Sequence, residues 1–184
     1  MMLIFLILSV FGTHHLALAA YATSYDQAFS FTCDVGKYLQ TIESIHSNYH
    51  EDRVFNFGCE SLKDTHAEET MKDCVWGPYA NDMDGILEFQ CPGDKIISGL
   101  SSYHDNHYED RRYKFYCCNP GNLVPYDCKF TSFINSYDNL LTYRVPDRSV
   151  IRGVNSVHDN SHEDRIFKFD ICKLGALADE PTVG

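Results

Sequence analysis

The sequence contains no Cys-x-x-Cys pair, no Asn-x-Ser/Thr sequon and no His-Glu-x-x-His. It also lacks a glycine-rich phosphate loop and a nucleophile elbow. Each absence removes a class of function. Without closely spaced cysteine pairs a zinc-ribbon fold has no ligand set. Without the loop or the elbow, phosphoryl transfer and serine hydrolysis lose their usual signatures. Basic residues are scarce: 15 Lys and Arg face 26 Asp and Glu, for a formal net charge of −11. A field of that sign disfavours nucleic acid, whose phosphates need a basic surface. An anionic ligand has to be met by local Arg and Lys against the overall field. No apolar run after the first residues is long enough to span a bilayer. Convincing 3.6-residue periodicity is also missing. The segment Cys59 to Cys74, "CESLKDTHAEETMKDC", is left equally open to a short helix or none.

What is present begins with a leader. Residues 1–19, "MMLIFLILSVFGTHHLALA", combine an apolar run with Ala17-Leu18-Ala19, and read as a secretory signal. They carry no Asp, Glu, Lys or Arg, so a chain starting at Ala20 keeps the full charge of −11. All 8 cysteines follow the leader. In an exported chain they read as four disulfides.

The next feature is repetition. "HEDRVFNFGC" from His50, "YEDRRYKFYCC" from Tyr108 and "HEDRIFKFDIC" from His162 share one design. Upstream of them, "CDVGKYLQTIESIHSN" from Cys33, "CPGDKIISGLSSYHDN" from Cys91 and "VPDRSVIRGVNSVHDN" from Val145 align without a gap. The expected organisation is one domain, 20–184, with repeats of about 55 residues at roughly 24–73, 74–127 and 128–174. The first repeat lacks an opening strand. Within the repeats the pattern has period two: Leu39, Thr41 and Glu43 alternate with Tyr38, Gln40 and Ile42. Aromatic and β-branched runs bounded by Gly, Pro, Asn and Asp read as strands. The expectation is therefore an all-β, disulfide-stapled domain with three-fold pseudosymmetry. A trefoil and a three-faced prism both accommodate it.

Repeat symmetry constrains the disulfides. Cys33 and Cys59 occupy the places of Cys91 and Cys117, and the third repeat has Val145 and Ile171 there. Both partners vanish together, as a bonded pair requires. Cys74 aligns with Cys128, and Cys118 with Cys172. The expected pairs are Cys33–Cys59, Cys74–Cys118, Cys91–Cys117 and Cys128–Cys172. Adjacent Cys117 and Cys118 on one strand point to opposite faces and so serve different bonds, with an exchange of partners between those two as the alternative.

Three copies of Asp-Arg-x-aromatic-x-Phe, a cysteine closing the strand and a Cys-Cys pair in the middle copy resemble the dermatopontin family. The resemblance covers about Ser24 to Leu174. Where this chain has Phe55, Tyr113 and Phe167, vertebrate members carry Trp, and they carry ten cysteines. The chain is thus closer to the invertebrate members, which include a haemagglutinin that aggregates amebocytes and a cytotoxin. The resemblance implies a secreted, non-enzymatic protein of the extracellular matrix, needing no cofactor. Its implied partners are glycosaminoglycan and proteoglycan, collagen or other matrix proteins, and the cell surface.

The charged triplets Glu51-Asp52-Arg53, Glu109-Asp110-Arg111 and Glu163-Asp164-Arg165 sit at the entrance of an aromatic strand. The favoured reading is scaffolding, with each Arg locked to the Asp or Glu beside it and stacked on rings. Arg112, Lys114 and Lys168, on the opposite strand face, are then the freer residues for anion contact. The loops ahead of the triplets place His46, His50, His104, His107, His158 and His162 beside acidic residues. Such groups suit zinc, copper or calcium, but irregular spacing favours polar turn chemistry and no metal. Charging of the six imidazoles in mild acid is the expected consequence, strengthening polyanion binding or self-association. Trp76, in "CVWGPY", is read as a core residue, with a sugar-stacking platform as the alternative. A second functional class stays open: an agglutinin or cytolytic protein, whose multivalency would come from the repeats or a homo-oligomer.

Overall fold

A computed structural model describes residues 21–62 and 71–176. The expected leader, and most of the segment between Cys59 and Cys74, lie outside the described residues. Among the described residues every element longer than one residue is a strand. They are β1 (Phe29–Thr32), β2 (Lys37–Ser47), β3 (Asp52–Ser61), β4 (Lys72–Trp76), β5 (Leu87–Gln90), β6 (Ile96–Asp105), β7 (Asp110–Asn119), β8 (Leu123–Phe130), β9 (Leu141–Arg144), β10 (Ser149–Asp159) and β11 (Asp164–Ala176).

Three long antiparallel hairpins, β2–β3, β6–β7 and β10–β11, each anchor a sheet. The sheet orders are β3-β2-β9, β1-β6-β7-β4 and β5-β10-β11-β8. The short strand on each hairpin is borrowed: β1 joins β6, β5 joins β10, and β9 returns to β2. The exchange therefore closes on itself. Among the described residues β3 has no outer strand corresponding to β4 or β8.

Each long strand carries a register shift that simple alternation does not show. It falls between Leu39 and Thr41, between Ile97 and Gly99, and between Ile151 and Gly153. The extra residue in a bulge flips the faces that follow it. Thr41 and Glu43 were expected to share a face with Leu39. Instead Leu39 and Ile42 both enter the central cluster, as do Ile97 with Leu100 and Ile151 with Val154. Tyr38, Ile96 and Val150 enter a second cluster. The carbonyls of the bulged residues are not idle. Gln40 O accepts Val145 N–H at 2.8 Å, Ser98 O accepts Cys33 N–H at 2.8 Å, and Arg152 O accepts Cys91 N–H at 2.9 Å. Each of these bonds extends the pairing with a borrowed strand. Gly99 is required by that approach, because a Cβ there would lie 2.4 Å from Phe31 O.

The central cluster draws Phe55, Tyr113, Phe115, Phe167 and Phe169 from the three hairpins, with β2, β6 and β10 in mutual contact. The disulfides are Cys33–Cys59, Cys91–Cys117, Cys74–Cys118 and Cys128–Cys172. Cys117 belongs to the central cluster and Cys118 to the second, so the adjacent pair does serve two faces. Val145 and Ile171 fill with hydrocarbon the place that two of the disulfides fill elsewhere.

Candidate functional site

The triplets meet at one end of the hairpins. In an extended strand neighbouring side chains leave on opposite faces, so Asp52 cannot turn to Arg53. The expected pairing inside each triplet is replaced by pairing between hairpins. Arg111 Nε and Nη2 donate to Asp52 at 2.6 and 2.7 Å. Arg165 donates to Asp110 at 2.6 and 2.6 Å. Arg53 donates to Asp164 at 2.6 and 2.7 Å. All six side chains are buried. The three two-point ion pairs form a closed ring, first hairpin to second, second to third, third to first.

Each ring carboxylate is further fixed by a backbone donor: Asp26 N–H to Asp52 at 2.9 Å, Asp84 N–H to Asp110 at 2.8 Å, and Asp138 N–H to Asp164 at 2.8 Å. Guanidinium protons left over reach carbonyls of Gln27, Gly85 and Asn139. Burial alone would raise the Asp52 pKa, but bonds from His104 and Arg111 overcome it and hold the group at about 2. Glu51, Glu109 and Glu163 do not join the ring. They adopt left-handed backbone with φ of 47°, 46° and 45°, and their side chains rim a shallow basin above the three arginines.

The six loop histidines fall into two groups. His46, His104 and His158 are inside, with side chains 0%, 0% and 1% exposed. His104 Nδ1 lies 3.2 Å from Asp52 and its Nε2 3.1 Å from Glu109. Burial opposes its charge, but those two carboxylates raise its pKa above the ordinary value. His50, His107 and His162 lie towards the surface. His50 stacks on Tyr25 at 4.6 Å and His162 on Tyr137 at 4.8 Å. His107 meets the edge of Tyr108. Of the six imidazoles expected to charge in mild acid, three are thus sealed within the fold and three lie towards the surface. In the loops themselves, Asp105 accepts His107 N–H and Asp159 accepts Ser161 N–H, both at 2.9 Å, which is polar turn chemistry.

Four groupings bring potential metal ligands within 4.8 Å among the described residues; one is the Cys128–Cys172 disulfide with Asp170, and the three around the ring are Asp26, Asp52 and His104; Asp84, Asp110 and His158; His46, Asp138 and Asp164. In each of these three an aspartate is the member shared with the ion-pair ring. In each, one aspartate already gives both oxygens to a guanidinium. A divalent ion there would sit against a fixed positive charge. The donor set fits a proton better than a metal.

On the outer faces the basic residues are less free than the sequence suggests. Arg112 donates to Asn81 O at 2.7 Å, lies 3.1 Å from Asp82, and covers the Tyr79 ring at 5.2 Å. Lys114 Nζ lies 5.3 Å from the Trp76 ring and 5.4 Å from Tyr79. Lys168 Nζ lies 5.4 Å from both Phe130 and Phe133. Neither lysine has a carboxylate within 4.0 Å among the described residues. The rings beneath them are exposed: Trp76 38%, Tyr79 38%, Phe130 50% and Phe133 44%. Trp76 is thus a surface residue tilted against Tyr116, not part of the core. The sequence signal for these rings was available in the alignment. Trp76 and Phe130 hold equivalent places after Cys74 and Cys128, ahead of strands whose lysines also align.

A sequence model described as Dermatopontin matches residues 23–176. The chain belongs to the dermatopontin family. It is 45% identical over 159 residues to the hemagglutinin/amebocyte aggregation factor of Limulus polyphemus, covering 84% of this chain and 88% of that one. It is 40% identical over 148 residues to Millepora cytotoxin-1 of Millepora dichotoma, covering 80% of this chain and 64% of that one. It is 34% identical over 154 residues to the dermatopontin of Biomphalaria glabrata, covering 84% of this chain and all of that one (100%). No solved structure matches significantly. As a dermatopontin-family protein the chain is all-β with four disulfides, and nothing in its relatives' names or in the geometry of the described residues points to catalysis.

Proposed function

We propose that this is a secreted, non-enzymatic adhesion protein of the extracellular matrix that binds anionic glycan chains of proteoglycans, with collagen, other matrix proteins or cell surfaces as further partners. Residues 1–19 act as its export signal. Residues 20–184 form one domain of three pseudo-equivalent repeats. The ion-pair ring is its scaffold, and Arg112, Lys114 and Lys168 are its anion contacts. One observation carries the reading. Lys114 and Lys168 are held over exposed rings without a carboxylate partner among the described residues, in a chain of net charge −11. A cation kept unneutralised in an acidic protein is positioned for an anion from outside. The test is binding to a heparin surface across a salt series at pH 7.4. Binding released by salt, with a slope corresponding to a few cations, supports the reading. Absence of binding at low salt overturns it.

The second reading is an agglutinin or lytic protein on the same scaffold. It is favoured by two separate lysine–ring patches, on β7 and β11, since aggregation needs two contacts per particle or a homo-oligomer. Clumping of cells by the purified chain, blocked by free polyanion, would join the two readings. Lysis without clumping would select the cytotoxic branch.

A further inference from the structure

We propose that the outer face of β7 is a single continuous site for a linear anionic glycan, and that it dominates binding by the molecule. The inference rests on the adhesion reading above and names the place and chemistry of its ligand contact. Arg112, Lys114 and Tyr116 alternate along β7 and so share one face. Beyond β4 the chain stays pinned to β7, with Gly77 N–H bonded to Phe115 O at 2.9 Å and Ala80 N–H to Tyr113 O at 2.7 Å. That pinning sets Trp76 and Tyr79 beside the β7 side chains. The result is an unbroken series of contacts. Tyr116 and Trp76 lie 5.0 Å apart, Lys114 sits over Trp76 and Tyr79, Arg112 over Tyr79, and Tyr79 meets Tyr103 edge-on at 5.2 Å. From residue 112 to residue 116 the row spans about 14 Å. At the Arg112 end it opens into a recess of about 350 Å³ lined by Asp82, Met83, Tyr103, Asp105, Tyr108 and Arg112.

This arrangement has the two properties that an anionic sugar chain requires. Ring surfaces with polar edges meet the C–H faces of pyranoses while hydroxyls bond at their margins. Cations at fixed intervals meet sulfate or carboxylate groups. The basic side chains are already held by their rings and by Asn81, so little rotamer freedom remains to be lost on binding. Exposed aromatic residues gathered in one patch, rather than scattered, mark an interaction surface.

The other two hairpins do not reproduce it. At the aligned places β11 has Ile166, Lys168 and Asp170, and Asp170 is buried and bonded to Gln90. Lys168 over Phe130 and Phe133 is an isolated cation on rings without hydroxyls. The first hairpin has Val54, Asn56 and Gly58 there, with no cation at the aligned places. Three similar scaffolds thus carry one full row, one fragment and one blank.

The experiment compares the wild-type chain with Tyr79→Ala, Trp76→Ala, Lys114→Gln and Lys168→Gln for binding to a heparin oligosaccharide and to hyaluronan. Each variant is first shown to keep the wild-type melting temperature within a few degrees. Tyr79 and Lys114 substitutions are expected to weaken binding about tenfold or more, and Lys168→Gln less than about threefold. Lys114→Gln should also reduce the salt slope by about one. Binding of heparin alone assigns sulfate as the recognised group, and binding of both assigns carboxylate. If the wild type binds neither probe, the adhesion reading itself falls. If it binds but Lys168→Gln costs more than Lys114→Gln, or both ring substitutions leave affinity unchanged, the row on β7 is not the site and only this inference falls.

Discussion

Arg111 Nε lies 2.6 Å from Asp52 Oδ1, and the two residues belong to different hairpins. Both are buried, and the carboxylate also accepts the Asp26 N–H. Removing one member leaves an uncompensated charge inside the protein. Asp52→Ala is therefore expected to destabilise by about 3–5 kcal/mol. Replacing Asp52 and Arg111 together by apolar residues should cost much less than the sum of the single changes. Urea unfolding of the single and double variants tests this. Additive losses would show that the pair is not coupled.

The ring also predicts how stability follows pH. The folded pKa of Asp52 is depressed to about 2, so its contribution is present above the unfolded value near 3.9 and is lost as pH falls through about 2. The folded pKa of His104 is raised, so its contribution is full below about 6.5 and is lost as pH rises through the folded value. The groups facing His104 are Asp52, Glu109 and Asp26, with Arg111 opposing them. The melting temperature should therefore be higher at pH 5.5 than at pH 8. His104→Gln should flatten that difference, and an unchanged profile in the variant would sink the assignment.

Val145 and Ile171 stand where two of the disulfides stand elsewhere. Cys91→Val combined with Cys117→Ile copies that solution into the second hairpin. The double variant should fold but lose about 3–4 kcal/mol, the loop-closure contribution of a 26-residue separation. Cys117→Ser alone should lose more, because it leaves a polar group and a free thiol in the central cluster. Thermal melts under oxidising conditions distinguish the two.

Acid should strengthen anion binding only modestly. Of the six loop histidines, His50, His107 and His162 remain towards the surface. His107 lies one residue from Tyr108, which lines the recess at the end of the β7 row. Heparin affinity should rise between pH 7.5 and 5.5. A flat profile in the wild type would exclude any role for these imidazoles.

Much of the architecture was legible because the repeated segments report on each other. The aligned cysteines and the joint loss of Cys at Val145 and Ile171 carried pairing information that no single segment holds. Period two gave the strands but not the bulges at Gln40, Ser98 and Arg152, since an inserted residue leaves composition unchanged. Asp52 and Arg53 were paired with each other on adjacency, although strand geometry sends neighbours to opposite faces and points each towards a different hairpin. The histidines were grouped by proximity in sequence. Their burial is decided by which residue falls on the inner face, and that follows from the bulge. Trp76 was assigned to the core on its rarity and hydrophobicity, and its position on an outer face depends on the strand edge it follows.

The closed exchange of strands also sets an order on biosynthesis. β2 emerges near the start of the described chain, but the strand that completes its sheet is β9, far downstream. Arg53 likewise waits for Asp164. No N-terminal portion of the chain holds a complete ring, so a nascent molecule carries unmatched buried-type charges until its last hairpin arrives. A premature stop ahead of Asp164 is therefore a lesion in the first hairpin as much as in the third.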